Sequence, residues 1–591
     1  MPVEAIRPGM KGYGLTVFKG TRPERFDVDV IGVLHNFQPD QDLVLVRTTH
    51  PLLEHANTVA GMSGSPVYIN DKLIGAYAYG WLYGKDPVAG VTPIKNMLVE
   101  LHRPLGTGNL VFGHPIKGKG KAKTHARLNK PFLGAEKRDA SFALNLIPKQ
   151  ADPRLHDSEQ PSLTPAATPL MVGGLEASLL PWLSDHLKPF GLFPIQGGGG
   201  GAQKPSSKKA TRVNQAKYVD GGAINVQLVS GDINMSGTGT VTYVQGRRLI
   251  AFGHPMLEAG EVGLPTATAR VLHIFASQMR SFKISEGLDP LGTMVHDRQS
   301  AIVIDTEIEP ETIPLSVKIE GVKSAPRTTW NMKVASHRNL TPMLAMTAAA
   351  NAVQATASDV ADATFTVTSV VDIEGHGPQK VVDVGYSSGG LSSMSFFGQL
   401  RMFSFLEAAY ANPFEKTKIN SITMQVQVKF DRDVTHLISA SVGSDEVNPG
   451  SRVPVYLTLQ KYGEEEKNQV LYVDIPSSMA GQSVELIFEP GNKVDVEQPQ
   501  VRNLEDILEI IRSRFSANML VASLKVQEQG LRLRGHVVRG LPDSALSALQ
   551  PQNSSLKPSA FVTQFRKATK IGGVVVGSAS LKINVREVAE K

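Results

Sequence analysis

Apolar and polar residues alternate along much of this chain, a period of two that places the apolar members on one face of a β-strand. Phe26 to Leu34 alternates in this way, Asp42 to Val46 is a short apolar run, and Pro66 to Ile69 with Leu73 to Tyr79 flank the Asn70-Asp71-Lys72 turn as two further strands. Ala223 to Val229 and Thr238 to Val244 open a second strand-rich stretch. Ile422, Met424, Val426, Val428 and Phe430 then alternate with polar residues, and Val455 to Leu459, Val470 to Ile475 and Val484 to Phe488 follow at the spacing of a β-sandwich. Helical spacing is rarer. Leu175, Leu179, Trp182, Leu183, Leu187 and Phe190 predict one short helix. Thr341-Pro342 starts another that runs to about Thr356, with Thr341 as its cap. Asn503, with Asp506 three residues on, caps a last one that gathers Leu504, Ile507, Leu508, Ile511 and Phe515 on one face.

Within the first strand-rich stretch, Gly61-Met62-Ser63-Gly64-Ser65-Pro66 sets a serine between glycines. Such a turn bends the backbone sharply around an exposed hydroxyl. The amides of Gly61 and Ser63 can then share one concavity, where they would hold the oxyanion formed when Ser63 attacks a carbonyl. The chemistry this points to is acyl transfer. An α/β-hydrolase elbow needs a helix directly after the serine, and Pro66 with β-branched residues behind it argues against one. A trypsin-like β-barrel fits the strands on both sides.

Thr58 to Val67, followed by Lys72-Leu73-Ile74-Gly75-Ala76 and by Val88-Ala89-Gly90-Val91-Thr92-Pro93-Ile94, resembles the serine half of the stage IV sporulation protein B peptidases. Gly239-Thr240-Val241-Thr242-Tyr243 and Leu249-Ile250-Ala251-Phe252-Gly253-His254 are similar to that family's histidine half, where a G-T-x-T-F strand leads into an A-L-G-H-G turn. The resemblance implies a trypsin-like double β-barrel with Ser63 as nucleophile and His254 as general base. The order of the halves is swapped here, no PDZ-like segment is visible, and a long C-terminal region is added. Swapped order does not bar the chemistry, because triads are defined by geometry and occur in several chain orders. The family's acid lies in a D-P-x-L-L segment before the serine, where this chain reads Thr48-Thr49-His50-Pro51-Leu52-Leu53. The third member must come from elsewhere, and Asp297 and Asp42 are the acids to check.

Two F-G-H-P turns compete for the role of base, at His114 and at His254. His254 is expected because a full strand and the Gln245-Gly246 turn precede it and can hold an imidazole rigidly. His114 runs instead into Lys-Gly-Lys-Gly-Lys. His50 and His55 flank the Pro51 to Ala56 turn as surface groups, and no histidine has metal-ligand spacing.

The expected architecture is mainly β, in five parts. These are a serine-bearing barrel half (1–105), a basic Gly/Pro-rich bridge with a short helix (106–215), a histidine-bearing barrel half (216–330), a helix-containing α/β segment (331–415) and an immunoglobulin-like β-sandwich with a late helix (416–591). A composition of 41% hydrophobic and 20% charged residues suits several ordinary globular cores. The net charge of +6 arises partly from Lys117 to Lys130, a run read as solvated linker because no aromatic stacking platform or recognition motif accompanies it; no nucleic acid partner is expected. Five glycines at 197–201 predict a flexible connection. The chain has no cysteine, which excludes disulfides, thiol nucleophiles and Cys-based zinc sites, and no cofactor or metal is called for. No apolar run is long enough to span a membrane. The first residues lack a basic stretch followed by an apolar one, so the chain is cytosolic or has lost a signal peptide. The resemblance favours the latter and a periplasmic or secreted location. The expected function is that of a serine endopeptidase acting on protein or peptide substrates; the rival is an envelope protein that keeps the barrels for binding or structure without turnover.

Overall fold

The computed structural model describes residues 1–81, 83–106, 163–165, 168–197, 217–357, 361–389, 397–398, 400–494, 501–533, 536–538 and 558–587. His114, the basic run 117–130 and residues 198–201 of the glycine stretch lie outside them. The fold is mainly β and divides into two compact units. The first comprises Met1–Ser316, Trp330–Ala352 and Asn420–Ile422, the second Val317–Thr329, Val353–Ile419 and Thr423–Lys591.

The first unit begins with β1 (Lys11–Thr16), β2 (Glu24–Gln38), β3 (Gln41–Thr49), α1 (Pro51–Ala56), β4 (Val59–Ala60), β5 (Pro66–Ile69), β6 (Lys72–Trp81), β7 (Val88–Pro93) and α2 (Ile94–Leu101). Six of these strands close into a barrel in the order β5, β1, β2, β3, β7, β6, with β6 pairing back to β5. Closure removes both sheet edges, and the period-two alternation of β2 turns Phe26, Val28 and Val30 inward onto Val44, Val46, Val67 and Val91. Tyr77 from β6 fills the same core. The short β4 stays outside this ring.

After β8 (Leu163–Pro165), which pairs with β6, come β9 (Pro169–Gly173), α3 (Leu180–Leu187) and β10 (Phe193–Gln196). α3 is the helix expected from the leucine spacing, and it buries Leu183 and Leu187. The chain continues through β11 (Ala223–Gly231), β12 (Asn234–Gln245), β13 (Arg248–Ala251), β14 (Gly260–Phe275), β15 (Ser281–Arg298) and β16 (Ala301–Asp305). Their pairings run β11, β12, β13, β16, β15, β14 and return to β11. β4 joins this second series by pairing in parallel with the start of β15, Val59 opposite Ser281 and Ala60 opposite Phe282. The last elements here are β17 (Thr312–Glu320), β18 (Thr329–Ala335) and α4 (Thr341–Thr356). Thr341 is the first helical residue rather than a cap: its hydroxyl donates to the Ala335 carbonyl and accepts from the His337 amide.

The second unit contains β19 (Ala363–Ile373), β20 (Gly377–Ser387), α5 (Arg401–Ala411) and β21 (Ile419–Lys429), the last being the alternating run around Met424. β21 neighbours β19. Beyond it lie β22 (Val434–Val442), β23 (Glu446–Val447), β24 (Arg452–Lys461), β25 (Glu466–Asp474), β26 (Ser483–Pro490), α6 (Leu504–Ser513), β27 (Met519–Leu533), β28 (His536–Val538), β29 (Pro558–Lys570), β30 (Val574–Val576) and β31 (Ala579–Val585). A four-stranded sheet (β25, β24, β22, β30) and a six-stranded one built on β26, β27 and β31 share one core, in which Val455 and Leu457 meet Leu486, Phe488 and Leu520. α6 is capped as expected, Asn503 Oδ1 accepting from the Asp506 amide at 2.8 Å. Among the described residues no helix is long and apolar enough to cross a membrane.

Phe488 is fully buried where the two sheets meet. Phe488→Ala is expected to destabilise the second unit by about 3–5 kcal/mol through lost burial and the cavity left behind. The check is the urea midpoint of that unit's unfolding transition, which should fall.

Candidate active site

Between the end of β4 and the start of β5 the chain makes the turn that carries Ser63. Gly61 and Gly64 sit at φ +92° and +97°, backbone that glycine adopts without the clash a Cβ would bring. Space is limiting as well. A Cβ on Gly64 would lie 1.9 Å from the Thr240 carbonyl oxygen, and one on Gly61 would lie 3.2 Å from Lys283 Cβ. Inside the turn, the amides of Met62, Gly64 and Ser65 donate to the carbonyls of Val59, Tyr77 and Met62. None of these three is one of the two amides, of Gly61 and Ser63, that the motif offers to an oxyanion.

The two serines of the motif differ. Ser65 Oγ donates to the Met62 carbonyl at 2.6 Å and braces the turn. Ser63 Oγ has no hydrogen-bond partner among the described residues. It is also completely buried, in contrast to the exposed hydroxyl that the motif alone suggests. The surroundings are non-local: the Thr240 amide on β12 bonds the Ser63 carbonyl, and the Phe252 amide lies 2.5 Å from where a Cβ on Gly64 would stand.

β12 holds the serine turn through its alternation. Thr240 donates from its amide to the Ser63 carbonyl at 2.8 Å and from its hydroxyl to the Gly61 carbonyl at 3.0 Å, while Thr242 Oγ1 donates to the Gly64 carbonyl at 2.7 Å. On the opposite face of the strand, Gly239 makes room for the Phe252 ring, which would lie 2.1 Å from a Cβ there. The 251–254 turn is held from the serine side in turn. Thr92 Oγ1 donates to the Gly253 carbonyl at 2.6 Å, and Gly253 packs so closely on β6 that a Cβ would meet that of Ala78 at 2.9 Å. Phe252 itself adopts φ +71°, uncommon for a bulky residue and a sign that the packing around it dictates the turn. The structure therefore brings the turns of Ser63 and His254 together.

The His254 ring is almost fully buried, with Nδ1 2.7 Å from the Pro255 carbonyl oxygen. A carbonyl can only accept, so in the neutral ring Nδ1 carries the proton and Nε2 keeps its lone pair. Asp297, on β15, does its work one step further along. Its carboxylate accepts from the Met256 and Leu257 amides, each at 2.7 Å, and from the Ala259 amide at 3.4 Å, so it pins the loop that follows His254. Burial pushes its carboxyl up to about 6, against the pull of those three amides. Asp42 lies elsewhere, bonding His35 and the Asn36 amide in the β2–β3 hairpin. His55 is exposed, whereas His50 stacks on Phe18 with centroids 4.1 Å apart and accepts from the Leu52 amide at the start of α1.

Four residues beyond the expected set complete the arrangement: Thr92, Thr240, Thr242 and Lys283. Lys283 is wholly buried on β15, and its Nζ donates to Thr16 Oγ1 at 2.7 Å and to Thr240 Oγ1 at 3.3 Å. Burial pulls its amine down to about 7. The signal for it is an inverted alternation, since Ser281, Lys283 and Ser285 point inward while Phe282 and Ile284 stand only partly buried between them. Below about pH 7 the folded and unfolded chains both hold this proton, and above about 10.5 neither does. Between the two only the unfolded chain holds it, so folding stability rises with pH across that window and is lost again as pH falls towards 7. Lys283→Met should remove that rise, on the order of 4 kcal/mol, and the difference in urea-unfolding free energy between wild type and variant from pH 7 to 10 measures it.

No curated protein and no solved structure matches the chain. Residues 4–98, which carry all six strands of the closed barrel and the Ser63 turn, match the model of the SpoIVB peptidase S55 family.

Proposed function

We propose that this protein is a serine endopeptidase. Ser63 Oγ attacks the peptide carbonyl while His254 Nε2 takes its proton, and the amides of Gly61 and Ser63 hold the resulting oxyanion. The C–N bond then breaks, His254 returns the proton to the leaving amine, and water releases the acyl group by the same route. The observation that carries this reading is the contrast between the two serines: Ser65 Oγ is engaged in bracing the turn, and Ser63 Oγ is not. The Pro255 carbonyl supports the tautomer a general base needs. Asp297 is in this reading a positioning residue, acting on His254 through the loop amides.

The closed series of pairings from β11 to β16 supports a trypsin-like double barrel with its halves in swapped order. The two-sheet core of the second unit supports an immunoglobulin-like accessory module. The substrates are proposed to be envelope or secreted proteins, in line with the family match. The complete burial of Ser63 favours a second reading, a barrel protein that binds without turnover, and the same experiment separates the two.

Fluorophosphonate should label the wild-type chain. Ser63→Ala should abolish labelling and lower kcat on the order of 10⁶-fold, while Ser65→Ala keeps measurable reaction. Labelling that survives in Ser63→Ala, or a wild type that never reacts, would overturn the peptidase reading. Asp297→Asn, which sets an amide N–H against the loop amides, should slow the reaction about 100-fold with the circular dichroism spectrum unchanged.

A further inference from the structure

We propose that Lys283 is a positioning residue for the oxyanion turn, acting through Thr240 on the Gly61–Met62 peptide; the inference rests on Ser63 being the nucleophile. That peptide is the joint between the two that would supply the oxyanion donors, since the Gly61 amide belongs to the peptide before it and the Ser63 amide to the one after. It is held at both ends. Its carbonyl accepts from Thr240 Oγ1 at 3.0 Å, and its N–H, on the opposite side because the peptide is trans, donates to the Val59 carbonyl at 3.1 Å.

A threonine hydroxyl has one proton and can turn to offer it elsewhere. Lys283 removes that freedom. Its Nζ donates to Thr240 Oγ1, so the Thr240 proton is left to point at Gly61, and Thr16 on β1 fixes the amine from the other side. The lysine stem fills the remaining space, with its Cβ, Cγ and Cδ all 3.2–3.4 Å from where a Cβ on Gly61 would stand. A flip of the peptide would have to displace both the hydroxyl and the stem.

A lysine is a costly way to fill this place if packing were its only task. A buried amine loses its hydration, and among the described residues no carboxylate pairs with Lys283, only two neutral hydroxyls. A methionine would fill the same stem volume without that penalty. What methionine cannot do is donate to Thr240.

The test uses the full chain with Lys283→Met, Thr240→Val, Thr240→Ser and the Lys283→Met/Thr240→Val double variant. Lys283→Met and Thr240→Val should each lower kcat, and the rate of fluorophosphonate reaction, by about 10- to 100-fold with KM within about twofold, as expected when oxyanion donors are misaligned rather than substrate binding lost. The double variant should be no worse than the poorer single one, since both break the same link. Thr240→Ser, which keeps the hydroxyl, should stay within about threefold of wild type. Amide hydrogen exchange across residues 61–65 should quicken at least about tenfold in Lys283→Met and Thr240→Val while the rest of the barrel keeps its protection. Lys283→Met with wild-type rates and exchange would overturn the proposal. So would a loss of protection throughout the barrel, or a Thr240→Ser as impaired as Thr240→Val. Should wild type fail to react at Ser63, the peptidase reading falls and the exchange measurement alone decides whether Lys283 holds the turn.

Discussion

Everything around Ser63 depends on three carbonyls that its own segment cannot satisfy. Those of Gly61, Ser63 and Gly64 all turn towards β12, which answers them with the Thr240 amide and two threonine hydroxyls. A buried carbonyl left without a donor costs about 1–3 kcal/mol, so the turn and the strand are stable together and strained apart. Thr92 returns the favour by holding Gly253. The six-stranded barrel and the β11–β16 strands are therefore joined by hydrogen bonds at the Ser63 and Gly253 turns, not only by apolar packing beside them.

The same arrangement sets the electrostatics. Ser63, His254, Asp297 and Lys283 are all buried, and a low-dielectric surrounding strengthens each hydrogen bond while resisting each charge. The resistance acts in opposite directions on the two ionisable groups, raising the Asp297 carboxyl to about 6 and lowering the Lys283 amine to about 7. Both are satisfied by dipoles rather than by each other: Asp297 by backbone amides, Lys283 by hydroxyls. Fixed dipoles need no reorganisation when charge develops nearby.

Local features were legible from the residues. The left-handed glycines flanking Ser63, the leucine spacing of α3 and the Asn503 cap of α6 each depend on a few neighbouring side chains, and each has the form the residues predict. Features that depend on distant chain were not. The burial of Ser63 follows from β12, which a turn motif cannot announce. Lys283 escaped because periodicity reveals that two faces of a strand differ without saying which is inside, and in the first half of β15 the polar face is the inner one. Asp297 is legible as an acid near the histidine half, but its engagement with the 256–259 amides is a matter of loop geometry that no spacing encodes.

The distance along the chain between Gly61 and Thr240, 179 residues, carries a consequence for biosynthesis. At about 5–20 residues per second, the ribosome delivers the threonine strand roughly 10–35 seconds after the serine segment. Throughout that interval the Ser63 turn lacks the donors that Thr240 and Thr242 later supply. The burial of Ser63 is therefore a late event, completed only once β12 has been made.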